Sequence, residues 1–430
     1  MKEWVSISLI LCTFGFFREM RPNEPFVVDF LSNGVWRNVT SEQLNREIYP
    51  FGTYSYLFQL CVVFMITDIL RYKPIIIASA CVGIVMWALL LWTKTLAWLY
   101  AVQICYGFFM ASEVAYYTYI YAKVPKEKYQ RVTGYTRASL LSGRFLAGVL
   151  AQLLVSFSIM NVRELNYISF GTQIISFGVS IMLPAVGVSL YMWKIEDSDV
   201  ESRNGREVQI QDQSKDIKPK FSWDRASKLL WNHFIVSYSN RTVLIYSIWW
   251  ALSTAGYLQI ISYVQLLWQQ IDPEQENFYN GGVEASLTLF GALSASLGGH
   301  ILQDSFQKYD LLLLTICSFL QGGLTLVSIW TTNIWIAYIM YVLVGIVYNF
   351  IITLVTAFVA KFLSDDSFAL IFGINTLVAL TVQTLSTIIF VTETASFKLT
   401  PKEQFFVFSI YFIVLGAVYM IVGIVKSFKK

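Results

Sequence analysis

Uninterrupted apolar stretches of about 20 residues recur along nearly the whole chain, and each is long enough to cross the roughly 30 Å hydrocarbon core of a bilayer. Hydrophobic residues make up 56% of the sequence and charged residues only 14%, so a soluble fold of this length would lack polar surface. The stretches are continuous rather than alternating, which argues against a membrane β-barrel. The sequence therefore predicts an all-α membrane protein with many spans.

Twelve spans can be distinguished, six on each side of one long polar segment. They begin near Trp4, Phe51, Pro74, Trp98, Thr133, Tyr167, Val243, Asn280, Leu311, Ile334, Phe368 and Gln404. The polar segment, 194–240, is rich in charge and poor in aromatic residues, which favours a solvated linker between an N-terminal half, 1–193, and a C-terminal half, 241–430. Its last part, SWDRASKLLWNHF, is predicted to form an amphipathic helix on the membrane surface.

Two six-helix halves joined by a cytoplasmic linker are typical of the major facilitator fold, in which the halves surround a central cavity. Most of the 31 lysines and arginines fall on the side that holds both termini, so we expect both termini to be cytoplasmic. The loop after span two, TDILRYKP, carries Asp68 and Arg71 as candidate structural or gating charges, and DSFQKYD after span eight resembles it. A channel is less favoured, because no filter-like re-entrant segment is visible.

Other features of the sequence narrow the class of function. The five cysteines lie within apolar stretches and predict no disulfide framework. Of two glycosylation sequons, only the one at Asn38 falls in an outside loop, whereas the one at Asn240 lies inside. No metal-ligand cluster, phosphate-binding glycine loop or nucleophile–base pair is visible, so we expect no enzyme, no metal and no cofactor. We expect a monomer whose partners are the lipid bilayer and a small molecule, not nucleic acid.

Eight ionisable side chains fall inside the predicted spans. They are Arg18, Glu19, Arg21, Glu24, Glu113, Arg137, Arg144 and Glu284. Facing lipid, each would cost about 2.5–3.5 kcal/mol, or roughly 24 kcal/mol for eight, so they must face one another or a wet cavity. Arg21 and Glu24 are spaced to pair on one helix face, and Arg137 is close enough to the inner surface to snorkel. These three are candidates either for structural ion pairs or for gating.

Glu113 is a candidate substrate ligand in the mid-span sequence ASEVAYYTYIY. Tyr116 and Tyr117 follow at helical spacing and Tyr106 precedes it on a similar stripe. Aromatic faces attract a cation and a carboxylate in a low dielectric supplies its counter-ion, so this pattern suits an organic cation. The alternative is a tyrosine-rich packing interface with one satisfied acid.

The segment FYNGGVEA at the start of span eight holds a second set of candidates. Asn280 and Glu284 are four residues apart and share a face, while the glycine pair lets a backbone or a ligand approach closely. Neither of the two histidines lies at the middle of the membrane, so any proton coupling would use a carboxylate.

With these residues in place, the chain resembles the vertebrate reduced folate and thiamine carrier family along nearly all of both halves. The resemblance is carried, in order and spacing, by RPNEPF, REIYPFGTYSYL, TDILRYKP, ASEVAYYTYIYAKV, YQRVTGYTRA, AGVLAQLLVS, WWALSTAGY, YVQLLW, YNGGVEA and LIFGINTLVALTVQT. It implies a major facilitator fold and vitamin uptake at the plasma membrane.

Three positions favour the thiamine branch of that family. The folate branch has cationic residues where Glu113, Gly345 and Gln383 stand here, and those cations suit the carboxylates of folate. The thiamine branch has Glu and Gln at the first and last of these positions, as here. The resemblance implies that Glu24, Glu113, Tyr116 and Asn280 contact the substrate.

Four positions depart from the family pattern. Gly52 stands where the thiamine branch has a tryptophan, Arg144 stands where it has a tyrosine, and Arg18 and Glu19 are extra charges. Glu19 or Glu113 is expected to pair with Arg144; alternatively, Arg144 binds an anion, which favours thiamine phosphate or a reduced folate as substrate. A non-transporting receptor is disfavoured, since the linker is too short for an output domain.

Overall fold

The structure, a computed structural model, describes residues 3–37, 39–187, 189, 191–194, 220–273, 279–301, 303–363, 367–392 and 397–428. The predicted glycosylation site at Asn38 and most of the predicted linker lie outside these residues. Apart from one short two-stranded ladder, the regular structure of the described residues is helical. A helix satisfies the hydrogen bonds of its backbone within one segment, as the lipid interior requires. The helical structure therefore agrees with the apolar composition of the chain.

The described residues that precede position 194 form nine α-helices. They are α1 (Glu3–Glu19), α2 (Val27–Ser32), α3 (Ser41–Gln43), α4 (Tyr49–Ile69), α5 (Lys73–Trp92), α6 (Leu96–Ala111), α7 (Glu113–Lys123), α8 (Tyr129–Ser156) and α9 (Leu165–Ile181). Short turns of 3₁₀-helix at Glu24–Phe26 and Lys126–Lys128 precede α2 and α8, and a π-helical turn at Leu44–Ile48 joins α3 to α4.

The second part begins with strands β1 (Trp193–Lys194) and β2 (Lys220–Phe221), which pair antiparallel. The helices that follow are α10 (Trp223–Ser239), α11 (Arg241–Ile271), α12 (Asn280–Ile301), α13 (Gln303–Trp330), α14 (Ile334–Ala360), α15 (Phe368–Phe390) and α16 (Pro401–Phe428). Every one of the predicted span starts falls on a helix.

Eight of the described helices are long and apolar enough to cross a membrane. They lie at Ser41–Ile69, Lys73–Trp92, Arg131–Ser156, Arg241–Ile271, Tyr309–Trp330, Ile334–Ala360, Leu370–Phe390 and Pro401–Phe428. The helices α1, α6, α7 and α9 are shorter than this test requires, and α12 is long enough but not apolar enough. The structure thus confirms an all-helical membrane protein.

Helix α1 ends at Glu19, and the chain turns twice before α2 because Pro22 and Pro25 interrupt regular helical bonding. Side chains of neighbouring helices bind the polar groups exposed by this break. Thr172 donates to the Met20 carbonyl at 2.8 Å, and the amide of Gln173 reaches the Arg18 carbonyl at 3.2 Å. A break inside a membrane span is stable when it is buried in protein in this way.

Asn23 anchors the same break from its other side. Its amide oxygen accepts hydrogen bonds from the Trp87 indole at 2.9 Å and the Ser169 hydroxyl at 2.7 Å. Asn23 is 2% exposed, so both bonds are shielded from solvent. The position of the charged residues on each side of the break is therefore fixed by α5 and α9.

The helices pack in two sets. Helix α1 packs on α8 and α9, α5 packs on α6 and α9, and α4 packs on α6. In the second set α13 packs on α14 and α16, α12 packs on α14, and α11 packs on α14, α15 and α16. The extensive contacts between the sets are those of α8 with α12 and of α4 with α15.

Asp68 lies in the last turn of α4 and binds the segment that precedes the linker. Its carboxylate accepts hydrogen bonds from the Ser189 hydroxyl at 2.8 Å, from the Met192 amide at 2.6 Å and from the Tyr191 amide at 3.2 Å, and it also accepts from the hydroxyl of Tyr72. We call this arrangement the Asp68 latch.

The other predicted charge of this loop, Arg71, lies beside the latch. Its guanidinium stacks over the Trp193 ring, 4.0 Å from the ring centroid, and the Trp193 indole donates to the Ile69 carbonyl at 3.1 Å. Helix α10 packs here through Ala226 and has an exposed, partly aromatic outer face; its position on the membrane surface stays a prediction.

Replacing Asp68 by Ala is expected to lower the stability of the fold. Two buried backbone amides lose their acceptor, and each unsatisfied group costs about 1–3 kcal/mol. The matched control is Asp224→Ala, because Asp224 forms an exposed ion pair with Lys228 at 2.8 Å, a kind of pair worth about 0–1 kcal/mol. Thermal unfolding of the purified protein in detergent measures both; equal melting temperatures for the two variants would contradict the role given to the Asp68 latch.

Candidate functional site

A cavity of about 580 Å³ lies among the helices of both sets. Its charged lining residues are Glu19, Arg21, Glu24, Glu113, Arg144 and Glu284, and its aromatic lining includes Tyr56, Tyr106, Tyr257, Tyr341 and Tyr348. Of the eight ionisable residues predicted within spans, all but Arg18 and Arg137 thus line one cavity. This agrees with the expectation that charges placed at membrane depth face one another or water.

Glu19 is the centre of an ionic cluster on one wall. Its carboxylate is 2% exposed and receives three guanidinium groups: Arg18 at 3.0 Å, Arg21 at 2.7 Å and Arg144 at 2.5 Å. Arg21 also pairs with Glu24 at 2.5 Å. We refer to these five residues as the Glu19 cluster.

Arg18 and Arg21 are nearly fully buried, and Phe109 of the neighbouring helix α6 contacts both of them. Arg18 donates to the Phe109 carbonyl at 2.6 Å, and its guanidinium lies 4.4 Å from the centroid of the Phe109 ring. Arg21 lies 5.3 Å from the same centroid. Desolvated cation–π contacts of this kind are worth about 2 kcal/mol, which offsets part of the cost of burial.

The sequence predicted Glu19 or Glu113 as the partner of Arg144, and in the structure the partner is Glu19. The predicted Arg21–Glu24 pair is also present, within the break between α1 and α2 rather than on one regular helix. The Glu19 cluster contains three arginines and two glutamates, and so carries one net positive charge.

Glu113 begins α7, directly after the helix interruption at Ser112. It is half-buried and lines the cavity, and within the described part of the chain its carboxylate forms no ion pair or hydrogen bond. Tyr56 and Tyr106 line the cavity from α4 and α6. This wall therefore presents an unpaired carboxylate beside aromatic rings.

The opposite wall comes from α11, α12 and α14. Glu284 accepts a hydrogen bond from the Tyr341 hydroxyl at 2.8 Å. The rings of Tyr257 and Tyr348 stack at a centroid distance of 3.9 Å with an interplanar angle of 13°, and both face the cavity. A flat aromatic surface and a second carboxylate thus lie across from Glu113.

Three of the sequence-predicted binding residues lie away from the cavity lining. Tyr116 is 1% exposed and donates to the Leu11 carbonyl at 2.9 Å, because three residues turn a helix about 60° short of a full circle and point this side chain towards α1. Tyr117 packs edge-on against Tyr116 at 5.3 Å. In this conformation the alternative interpretation, a tyrosine packing interface, describes these two residues.

Asn280 is the third, and it takes part in closing the cavity instead. It is 2% exposed, accepts from the Tyr338 hydroxyl at 3.0 Å and donates to the Asp29 carboxylate at 3.4 Å. The Gln269 amide donates to the other oxygen of Asp29 at 3.0 Å. Through these contacts α2 is bound to both α11 and α12.

Two more contacts strengthen this closure. The Gln265 amide group donates to the Glu24 carbonyl at 3.0 Å and accepts from the Val28 amide at 3.3 Å. We call the set of contacts of Asp29, Gln265, Gln269 and Asn280 the α2 clamp. Arg137, in contrast, is exposed on α8 and forms no ion pair among the described residues; its snorkelling to the inner surface stays a prediction.

Two glycines at which the chain differs from one branch of the family, Gly52 and Gly345, are explained by the packing around them. At Gly52 the space that a side chain would need is filled by the amide of Gln103, and both residues line the cavity. At Gly345 a side chain would meet Leu287, so α12 and α14 pack closely there. The cavity is therefore shaped by side chains that compensate for these glycines.

Sequence reasoning missed Tyr56, Tyr257, Tyr348 and Gln265 as residues of the cavity and its closure. Tyr56, Tyr257 and Gln265 lie within the motifs GTYSYL, WWALSTAGY and YVQLLW that carry the family resemblance, and each is a polar side chain on an otherwise apolar helix. Polarity at membrane depth is the signal that could have identified them.

Comparison with known proteins agrees with this architecture. Residues 2–407 match the family described as "Reduced folate carrier". The chain is 36% identical to thiamine transporter 1 of Mus musculus over 99% of this chain and 91% of that protein, and 34% identical to folate transporter 1 of Caenorhabditis elegans over 100% and 94%.

Solved structures of transporters have a similar fold. The POT family transporter PepTSo aligns with a TM-score of 0.66 at 10% identity, covering 100% of each chain. A bacterial homologue of the human lysosomal transporter Spinster, crystallised in an inward-facing and unoccupied conformation, aligns with a TM-score of 0.64 at 12% identity, covering 98% of this chain and 97% of that one. At these identities the likeness concerns the fold alone.

Replacing Glu19 by Gln is expected to destabilise the protein by roughly 3–5 kcal/mol, since it leaves three guanidinium groups without their shared counter-ion. The control is Glu42→Gln, whose side chain is 69% exposed in a surface pair with Arg46. The measurement is thermal unfolding in detergent. The double variant Arg18→Gln/Glu19→Gln removes one charge of each sign and should recover part of the lost stability, which a double-mutant cycle quantifies. An unchanged melting temperature of Glu19→Gln would contradict the central role given to Glu19.

Proposed function

Since the chain belongs to the reduced folate carrier family, we propose that it is a membrane transporter of a cationic vitamin, with thiamine as the substrate. Relatives that match almost the whole chain at 34–36% identity include thiamine transporters 1 and 2. The observation that carries the proposal is the unpaired carboxylate of Glu113 in a cavity with aromatic walls.

The charge balance of the cavity favours a cation. The Glu19 cluster carries one net positive charge, and Glu113 and Glu284 reverse it to one net negative charge. In a site of low effective dielectric, a carboxylate without a counter-ion attracts a permanent cation by several kcal/mol. Thiamine offers a cationic thiazolium ring to Glu113, and its aminopyrimidine can lie on the stacked pair Tyr257 and Tyr348.

The volume of the cavity is also suitable. Ligand sites commonly measure about 300–1,000 Å³, and this cavity lies within that range. In our proposal Glu113, Glu24 and Glu284 contact the substrate directly, while Arg21 and Glu19 hold the wall behind them. Tyr116, Tyr117 and Asn280 are placed as supporting residues of the cavity and its closure.

We further propose the complete architecture predicted from the sequence: twelve spans in two halves, 1–193 and 241–430, around the cavity, joined by a cytoplasmic linker at 194–240. The packing of the helices in two sets that meet at α8 with α12 and at α4 with α15 supports this division. Both termini are then cytoplasmic, the protein acts at the plasma membrane, and Asn38 is outside and can be glycosylated.

In this arrangement the α2 clamp lies on the outer side and closes the cavity there. Alternating access then requires the contacts of Asp29 and Gln265 with α11 and α12 to break when the cavity opens outward, while the Asp68 latch and Arg71 lie on the inner side. The α2 clamp, which joins the two sets of helices, is thus placed on the face opposite to the Asp68 latch, whose contacts lie within the first half; rocking of the two halves around a central site would open the clamp.

A second candidate is an organic anion such as a reduced folate. The observation that favours it is Arg144, whose side chain is 47% exposed although it lines the cavity. The match to folate transporter 1 of Caenorhabditis elegans is consistent with it. Competition of unlabelled folate against labelled thiamine in one uptake assay separates the two candidates.

Replacing Glu113 by Gln is expected to reduce uptake of radiolabelled thiamine at low concentration by tenfold or more. The substitution keeps the shape of the side chain and removes only the charge, and tenfold corresponds to about 1.4 kcal/mol of lost attraction. Because Glu113 has no partner in the described structure, the melting temperature of the Glu113→Gln variant should equal that of the intact protein. Glu164→Gln, outside the cavity, serves as the control; normal uptake by Glu113→Gln rules out the proposed cation site.

Weakening the α2 clamp should shift the protein towards the outward-open state. Gln269→Ala removes donors to Asp29 and Ser32, so a cysteine introduced at cavity residue 262 should react faster with an impermeant thiol reagent added outside the cell. The neighbouring Gln270→Ala is the matched control, since Gln270 binds only the Lys402 amide among the described residues. Equal labelling rates would contradict the assignment of this clamp to the outer gate.

A further inference from the structure

Arg144 differs from the other two arginines of the Glu19 cluster in its exposure. Its side chain is 47% exposed within the cavity, whereas those of Arg18 and Arg21 are 2% and 3% exposed. Only its Nε atom is used, in the 2.5 Å bond to Glu19. Within the described part of the chain its two terminal amino groups form no hydrogen bond.

The cluster cannot neutralise Arg144 by itself. The Glu19 carboxylate is already shared with Arg18 and Arg21, and Glu24 is bound to Arg21. The cluster therefore keeps one net positive charge, and Arg144 is the arginine through which it is exposed to the cavity. Glu19 also fixes the plane of the guanidinium, so the free edge points in one direction without further loss of side-chain freedom.

The cavity thus holds two charges of opposite sign that do not meet. Glu113 has no partner among the described residues, and no ion pair joins it to Arg144. The Glu113 side chain is half-buried and that of Arg144 is half-exposed, so both charges face the same cavity without forming an ion pair. A single cation at Glu113 would leave Arg144 unbalanced and repelled, whereas a ligand with a charge of each sign would satisfy both.

We propose that this cavity selects a zwitterionic substrate: a cationic heteroaromatic ring that binds at Glu113 and an oxyanion arm, phosphate or carboxylate, that binds at the terminal amino groups of Arg144. This deepens the proposed function and rests on it for the cation site. The fork of a guanidinium matches the oxygens of phosphate and carboxylate in paired hydrogen bonds, which lysine cannot reproduce. Thiamine monophosphate has the required chemistry and is the probe for the test.

The test compares uptake of radiolabelled thiamine and thiamine monophosphate by the full chain in proteoliposomes. The intact protein should prefer the monophosphate by tenfold or more. Arg144→Gln should lower the uptake of the monophosphate at least tenfold more than the uptake of thiamine and so remove that preference, whereas Arg144→Lys should keep it only in part, since lysine keeps the charge and lacks the fork. Glu113→Gln should lower the uptake of both compounds.

The outcomes separate the two proposals. Uptake of thiamine without preference for the monophosphate overturns the zwitterion proposal and keeps the proposed function. An equal loss of both compounds in Arg144→Gln, at an unchanged melting temperature, also overturns it, because Arg144 then acts only as part of the framework. Absence of uptake and binding of both compounds by the intact protein overturns the proposed function itself. If Arg144→Gln does not fold, the preference of the intact protein and its partial retention in Arg144→Lys still decide.

Discussion

One fully buried carboxylate, Glu19, holds together the part of the protein that faces the cavity. It connects Arg18 and Arg21 beside the break in the first span with Arg144 on α8, so the helix break and the cavity wall depend on the same contact. Each arginine alone would be very costly at this depth, and a shared counter-ion with hydrogen bonds to Phe109 reduces that cost. The break itself is stabilised by Asn23, which completes the polar framework.

The same charges explain why some spans are less apolar than others. Helices α1, α7 and α12 carry Arg18, Glu19, Glu113 and Glu284, and none of these helices is among the eight that are long and apolar enough to be recognised as spans. Interruptions near Pro22 and at Ser112 shorten two of them. The length of α1 and α7 and the polarity of α12 thus weaken their membrane signal, whereas α8, which carries Arg144, is still recognised as a span.

Much of this arrangement could be predicted from the sequence. The helix positions follow from apolar length, and the Arg21–Glu24 pair and the inward orientation of Glu113 follow from spacing and from the cost of charge in lipid. The orientations of Tyr116 and Asn280 could not be derived, because they depend on a neighbouring helix. Tyr116 is drawn to the Leu11 carbonyl of α1, and Asn280 to Asp29 of α2, contacts that span more than a hundred residues of sequence. Local periodicity contains no information about such partners.

The separation of charge within the cavity is the property that sequence reasoning approached but could not complete. In the sequence, an arginine near a cation site is a conflict. The structure shows that the Nε atom of Arg144 binds Glu19, while its two terminal amino groups have no hydrogen bond among the described residues. In the structure the positive charge is fixed on one wall and the unpaired carboxylate of Glu113 on another. Folding places Glu113 and Arg144 in one cavity without an ion pair between them. A ligand that complements both charges therefore gains from each of them without first having to break an ion pair.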